Sequence, residues 1–151
     1  MNMRILIQEC LKADVTIDKS IVSSIDKGEV IFVGFTKDDD EKICDRMLDK
    51  MLKLRIFADK DGKTNLSLEQ VGGNVLCVSQ FTLYADLSQG NRPSFVNALR
   101  PELSEPLYDY FCKILKERVH ECGFGRFGAD MKVSLINDGP FTIMLDSKEL
   151  F

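Results

Sequence analysis

The sequence contains a single histidine, His120, and no two cysteines in a C-x-x-C spacing. One histidine excludes every two-histidine metal motif and leaves one candidate for any histidine-dependent triad. The five cysteines, Cys10, Cys44, Cys77, Cys112 and Cys122, are odd in number and dispersed. They read as reduced thiols on apolar faces, and their spacing suits neither a disulfide frame nor a structural zinc site. A long hydrophobic run is also missing: charges interrupt every apolar stretch well short of the roughly 20 residues that a membrane helix needs. The chain enters the strand-like Met3-Arg4-Ile5-Leu6-Ile7 with no small-residue cleavage site behind it, which predicts no signal peptide and a cytoplasmic protein. Nor is there an excess of positive charge. A formal net charge of −4 excludes general nucleic-acid binding through bulk charge, while a small basic patch on an acidic surface would still serve a nucleic-acid substrate that must be released.

What is present suits one domain. The 151 residues are 44% hydrophobic and 29% charged, an ordinary globular balance with enough apolar material for one core. Residues 3–8 and Val15-Thr16-Ile17 read as strands that a hairpin could join. Glu29 to Phe35 is a continuous β-branched run, the pattern of a buried strand. Asp38 offers an N-cap with Glu41 three residues on, and Ile43, Met47, Leu48, Met51 and Leu52 follow at helical spacing, predicting a helix over about residues 39–53. Asp61-Gly62 marks a turn. Val75 to Leu83 reads as a strand, followed by a loop from about Ala85 to Pro93. Ser104 would cap a second helix with Pro106 in its first turn, Leu107, Phe111, Ile114, Leu115, Val119 and Cys122 on its apolar face, and Gly123 as its C-terminal cap. Two closing strands, Met131–Ile136 and Phe141–Leu145, flank a turn at Asn137-Asp138-Gly139-Pro140. Short turns between adjoining strands favour an antiparallel α+β domain over a doubly wound sheet.

Several signals reduce to ordinary structure. Gly123-Phe124-Gly125-Arg126-Phe127-Gly128 matches the dinucleotide fingerprint, but that motif must follow a strand and open a helix. Here it follows a predicted helix and leads to a strand, so it reads as a glycine connection. His120, near the predicted helix end and off its apolar stripe, reads as a surface residue complementing the dipole and not as a general base. Asp38-Asp39-Asp40-Glu41 reads as an acidic first helical turn, and Met47 and Met51 as core. Two segments stand out. Ser79-Gln80-Phe81-Thr82-Leu83 could turn small hydroxyls and an amide into a pocket, with Phe81 and Leu83 pointing elsewhere. Asn137-Asp138-Gly139-Pro140-Phe141-Thr142 could hold a cis peptide and let backbone groups approach a ligand closely. Taken singly, each is better explained by ordinary structure, the first by a strand edge whose hydroxyls satisfy local backbone groups and the second by a plain turn.

Together, Ser79-Gln80-Phe81-Thr82-Leu83 and the Asn-x-Gly-Pro-x-Thr stretch at 137–142 make the chain resemble the D-aminoacyl-tRNA deacylase family. Gly90-Asn91-Arg92-Pro93, Phe127-Gly128-Ala129 with Met131, Leu54-Arg55-Ile56-Phe57 and the opening Met3-Arg4 support it over the whole length. The resemblance implies one α+β domain spanning residues 1–151, with mainly antiparallel sheets forming a partly open barrel or sandwich and two main helices. It implies a homodimer whose active site lies at the subunit interface, where Gly139-Pro140 enters the partner's pocket as a chirality filter. The substrate implied is the aminoacylated 3′ end of tRNA, with no cofactor, metal, DNA or membrane. Ser79, Gln80, Phe81 and Thr82 are the implied catalytic segment. Phe127, Ala129, Met131, Asn137, Gly139 and Pro140 are the implied substrate-binding residues.

An aminoacyl ester is already activated, so placing water and stabilising the oxyanion suffice. Backbone N–H groups around Phe81 and Thr82 are the candidate donors, with the ribose 2′-hydroxyl assisting. Thr82 as a nucleophile is the alternative, and it lacks an evident base. Arg46, Lys50, Lys53 and Arg55, with Arg92 nearer the pocket, are candidates for tRNA contacts, against the alternative of a solvated helix face. One departure stands out: the family usually opens with a Gln-Arg-Val type segment, and this chain has Gln8-Glu9-Cys10. Rival readings are a related editing deacylase for L-amino acids or glycine, and a noncatalytic dimer that binds tRNA ends.

Overall fold

The computed structural model describes residues 2–151. Three strands open the chain, β1 (Arg4–Ile17), β2 (Ser20–Ile25) and β3 (Gly28–Gly34), followed by α1 (Glu41–Lys53). The small hairpin β4 (Phe57–Ala58) and β5 (Thr64–Leu66) leads through α2 (Leu68–Val71) to β6 (Asn74–Ser79). A 3-10 turn over Phe81–Tyr84 precedes α3 (Pro101–Arg118), β7 (Cys122–Phe124), β8 (Lys132–Asp146) and α4 (Ser147–Leu150).

β1 organises the sheet. Its first half lies between β3 and the second half of β8; its second half lies between β2 and the first half of β8, all antiparallel. The two strands expected at 3–8 and 15–17 are thus one. Buried neighbours Glu9 and Cys10, then exposed neighbours Leu11 and Lys12, break its alternation and mark the bend between the halves. The hairpin joins β1 to β2 instead, through Asp18 and Lys19 at φ 49° and 67°, the left-handed pair that matches strand twist. β2 went unforeseen because Asp-Lys lacks the usual glycine.

β3 pairs with β6 and β6 with β7, both parallel. Parallel neighbours need crossovers, and the connections carrying α1 and α3 supply them, so the expectation of short turns holds only for the β1-centred half. The Phe124 N–H donates to Ser23 Oγ at 3.0 Å, bringing β7 against β2 and curling the six strands into a nearly closed barrel. Residues 30–33 of β3 and 75–78 of β6 are apolar because both faces of these strands are covered. Ile31, Val33, Val75 and Cys77 pack with Met47 and Met51 of α1 and Phe111 and Leu115 of α3. Val30, Leu76 and Val78 pack inward with Val15 and Ile25.

The helix ends differ from expectation by a few residues, for local reasons. α1 is capped by Asp40, which accepts from the Ile43 N–H at 3.0 Å, and not by Asp38, which sits at φ 71° in the preceding turn. Asp39 accepts from the Thr36 and Asn2 N–H groups, so the acidic run closes the turn and caps the helix. α3 begins at Pro101, whose fixed φ suits the first helical position. Ser104 is therefore a buried interior residue and not the cap, and Pro106 falls inside the helix. The helix ends at Arg118, so His120 lies beyond it, and Cys122 and Gly123 belong to β7 and not to the helix face or its cap.

Candidate active site

β6 closes its ladder where the Gln80 N–H donates to Val33 O at 2.8 Å. The strand expected to run to Leu83 therefore stops at Ser79, and the chain winds into the 3-10 turn. Three features fix that turn. Arg4 Nη1 donates to Leu83 O at 2.7 Å, while the same guanidinium pairs with Asp146 at 3.1 Å and lies over the Tyr84 ring. The Tyr84 hydroxyl reaches the carbonyls of Asn2 and Gly34. Gly34 supplies the space: a Cβ there would sit 2.8 Å from Gln80 O and 2.9 Å from the Tyr84 ring.

Among the described residues, the N–H groups of Phe81 and Thr82 donate to no protein acceptor. This follows from the start of a 3-10 turn, whose first donors have no preceding carbonyl in reach. The Thr82 hydroxyl accepts from the Gln80 side-chain amide.

This edge borders a cavity of about 630 Å³. Ser79, Gln80 and Phe81 form one wall, and Phe127, Ala129 and Met131 form another. Phe81 does not point away, as its place in an extended strand would require. Helical winding turns it to the cavity mouth, 56% exposed, edge-on to Phe95 with ring centroids 5.1 Å apart. Beside the Phe127 ring, the Tyr108 hydroxyl lies 3.1 Å from Cys77 O and 3.3 Å from Gly125 O, joining β6 to the segment carrying Phe127. Burial pushes its phenol well above the usual range, so it stays a neutral donor. Arg100 and Asp130 are the charged residues of the lining. His120 contributes nothing here: its side chain is 95% exposed beside Glu121.

The second group of expected residues stands apart on β8. Gln8 pairs with Thr142 and Cys10 with Asn137, so the four residues Asp138–Phe141 face the single residue Glu9. The expected turn between two strands is therefore a bulge within one strand, because β1 continues to pair on both sides of it. Asn137 ties the neck: its Oδ1 accepts from the Phe141 N–H and its Nδ2 donates to Thr142 Oγ1, both at 2.9 Å. Gln8 Nε2 donates to that same hydroxyl at 3.1 Å. The amide of Asn137 is thus engaged in shaping the bulge. At its tip, Gly139 has φ 138° and the Gly139–Pro140 peptide is cis, with both residues exposed. Within one chain the two groups do not meet: Asn137, Gly139 and Pro140 are not part of the cavity lining.

A family model described as D-Tyr-tRNA(Tyr) deacylase matches residues 6–146. The chain belongs to this family. A D-aminoacyl-tRNA deacylase from Lactobacillus acidophilus is 51% identical over 144 residues, covering 95% of this chain and 99% of the relative. One from Clostridioides difficile is 48% identical over 149 residues, covering 99% and 100%. Among solved structures, a c-Myc DNA unwinding element binding protein superposes with a TM-score of 0.88 at 36% identity, covering 94% of this chain and 97% of the other. A probable eukaryotic D-amino acid tRNA deacylase gives 0.86 at 18% identity over 97% and 100%, a likeness of fold alone.

Sequence reasoning found the family segments but missed what supports them. Tyr108 and Phe95 carry no motif. The Arg4 contacts were foreshadowed only by the opening Met3-Arg4. The signal that could have found Gly34 is its place at the end of an apolar strand, directly before a turn.

Proposed function

We propose that the chain hydrolyses the ester joining a D-amino acid to the 3′ end of tRNA. The observation that carries this reading is the cavity edge at Ser79–Thr82. Its two unpaired N–H groups lie on Phe81, which lines a space large enough for an aminoacylated ribose, and on the next residue, Thr82. Donors already aimed where negative charge develops stabilise a tetrahedral oxyanion without reorganising. The Thr82 hydroxyl already accepts from Gln80, and the lone histidine is on the surface, so neither neighbour gives Thr82 an activating base. Water is the attacking group, and the vicinal 2′-hydroxyl of the terminal ribose assists it, making catalysis partly substrate-borne.

Stereochemical choice belongs to the bulge. It protrudes from a sheet whose outer face leaves apolar side chains uncovered, Met144 at 44% exposure beside its partner Leu6. A second copy docked on that face forms a homodimer in which Gly139-Pro140 enters the neighbouring cavity. There the carbonyl groups of the bulge capture the α-amino group and leave no room for an L side chain. Reading only the substituents of Cα admits many D-amino acids, and it also admits glycine, including glycine mischarged on tRNA-Ala. The tRNA body meets basic side chains. Of the helix candidates, Lys53 is paired with Asp49, Arg55 with Asn65, and Arg46 lies over the Phe151 ring. This leaves exposed Lys50 and Arg92 as the better placed cations, since the cavity residue Arg100 lies 3.9 Å from Glu102.

The test is deacylation of D- and L-tyrosyl-tRNA by the purified chain. Hydrolysis of the D ester alone supports the reading. Hydrolysis of the L ester points to a related editing enzyme, and binding without hydrolysis to a noncatalytic module.

A further inference from the structure

We propose that Glu9 and Glu29 share a proton beneath the Asp138–Phe141 bulge, and that this makes Glu9 a positioning residue for Gly139-Pro140. The proposal rests on the bulge acting in substrate selection as described above.

The two glutamates are directly opposite one another in the β1–β3 ladder. They lie on the sheet face that Ile7 and Ile31 bury against the helices, at 9% and 1% exposure. Like charges directly opposite on paired strands repel, and burial makes that repulsion far more costly than it is in water. The buried Oε1 of Glu29 has no hydrogen-bond partner among the described residues. A proton held between the two carboxyls removes one charge and supplies that oxygen with its missing partner. Among the described residues, Lys27, in the turn before β3, is the basic group whose charge acts on Glu9.

The remaining groups that face the pair are few. Asp138, the first residue of the bulge, acts on Glu9 from β8, and Cys10 follows it on β1. Burial, reinforced by Asp138 and opposed by Lys27, pushes the Glu9 carboxyl up to about 7. Burial, reinforced by Glu9, pushes Glu29 up to about 8. Burial also pushes the Cys10 thiol up to about 11, so it stays neutral throughout. The pair therefore carries two protons in acid, loses the first near neutral pH to leave one shared between the carboxyls, and loses that one just above, in two steps that belong to both residues. Glu9 is the only residue of β1 opposite the four-residue bulge. Once ionised it repels Asp138 at the root of the bulge and Glu29 behind it, and the Gly139-Pro140 tip shifts. Below that transition the bulge is held; above it, substrate positioning loosens.

The experiment combines carboxyl-labelled NMR of the full chain with deacylation of D-tyrosyl-tRNA between about pH 6 and 9, corrected for spontaneous ester hydrolysis. Two glutamate carboxyls titrating near or above neutrality, far from the usual carboxylate range, are expected. The Gly139 amide resonance should move with the same midpoint, and Glu29→Gln should bring the Glu9 midpoint down. In Glu9→Gln, kcat/KM at alkaline pH relative to acidic pH should rise at least about threefold over the parent ratio. Carboxyls that all titrate in the ordinary range, a Gly139 resonance indifferent to their titration, or an unchanged pH ratio in Glu9→Gln would each overturn the proposal. The NMR readings need no substrate. If they come out as expected while D-aminoacyl-tRNA is not cleaved at any pH, the functional reading fails and the proton pair stands.

Discussion

Replacing Glu29 by glutamine should stabilise the protein in a way that depends steeply on pH. The residue is almost fully buried, and its carboxyl is raised from 4.5 to about 8, with burial as the main cause and Glu9 the second. In the unfolded chain the same group ionises near its ordinary value. The folded state thus binds this proton more tightly, and the unfolded state is the one favoured as pH rises. The contribution to stability is fully present below about pH 4.5, is lost progressively above it, and is gone once pH passes about 8. Each unit between the two values is worth about 1.4 kcal/mol, so the loss approaches roughly 5 kcal/mol as an upper figure, since the pair titrates jointly. For a chain of this size that corresponds to a shift in Tm on the order of 10 °C. Glutamine has the shape of the protonated acid and never ionises. Thermal unfolding followed by circular dichroism should therefore give parent and Glu29→Gln similar Tm values near pH 4.5, and a variant clearly more stable near pH 8. A gap between the two proteins that stays constant across this range would refute the reasoning.

Four further outcomes follow from the site. Thr82→Ala should keep D-tyrosyl-tRNA deacylase activity within about tenfold of the parent, because alanine keeps the backbone donor, whereas losing a covalent nucleophile costs several powers of ten. A tRNA ending in 2′-deoxyadenosine should be cleaved far more slowly; normal cleavage of it together with a dead Thr82→Ala would make the threonine the nucleophile. Gly139→Ala places a side chain at φ 138° with its Cβ 2.9 Å from the Phe141 nitrogen, so the bulge must rebuild. The expected result is a loss of activity of about tenfold or more with a small change in Tm, because the residue is exposed and outside the core. Tyr108→Phe removes the hydroxyl that serves Cys77 O and Gly125 O and should cost about 1–3 kcal/mol in denaturant unfolding, whereas an unchanged midpoint would show that those carbonyls find other partners.

The parts of the fold that could be read from the sequence are those decided by local pattern. Met47, Leu48 and Met51 recur at helical spacing and are buried on one face of α1. The run Val30–Val33 is apolar because β3 is covered on both faces. The errors lie where a tertiary partner overrides the local signal. β1 reads as two strands because its alternation breaks at Glu9-Cys10, yet neighbours on both sides carry it through as one. Ser104 has the chemistry of a cap, but Pro101 starts the helix earlier and buries it. Asn137 to Pro140 has the composition of a turn, and only the unbroken pairing of β1 makes it a bulge.

The candidate site divides along the same line, and its chemistry explains why. Its proposed working groups are main-chain: the N–H groups of Phe81 and Thr82 and the carbonyls of the Gly139-Pro140 bulge. Every residue type carries such groups, so no catalytic side-chain pattern could announce them, and physical reading of either segment alone favours an ordinary strand edge or turn. What residue identity can encode is the support. Gly34 leaves space for the turn, Arg4 holds Leu83 O, and Asn137 ties the neck of the bulge. Each of these does its work across a large separation in sequence, from 4 to 83 or from 34 to 80, which a linear reading does not pair. Glu9 is the sharpest case. In the sequence it is a departure from the family's opening segment with no visible compensation. In the folded chain it stands opposite Glu29 on one side and the bulge on the other, so the same substitution that removes a cation there can bring a proton in its place.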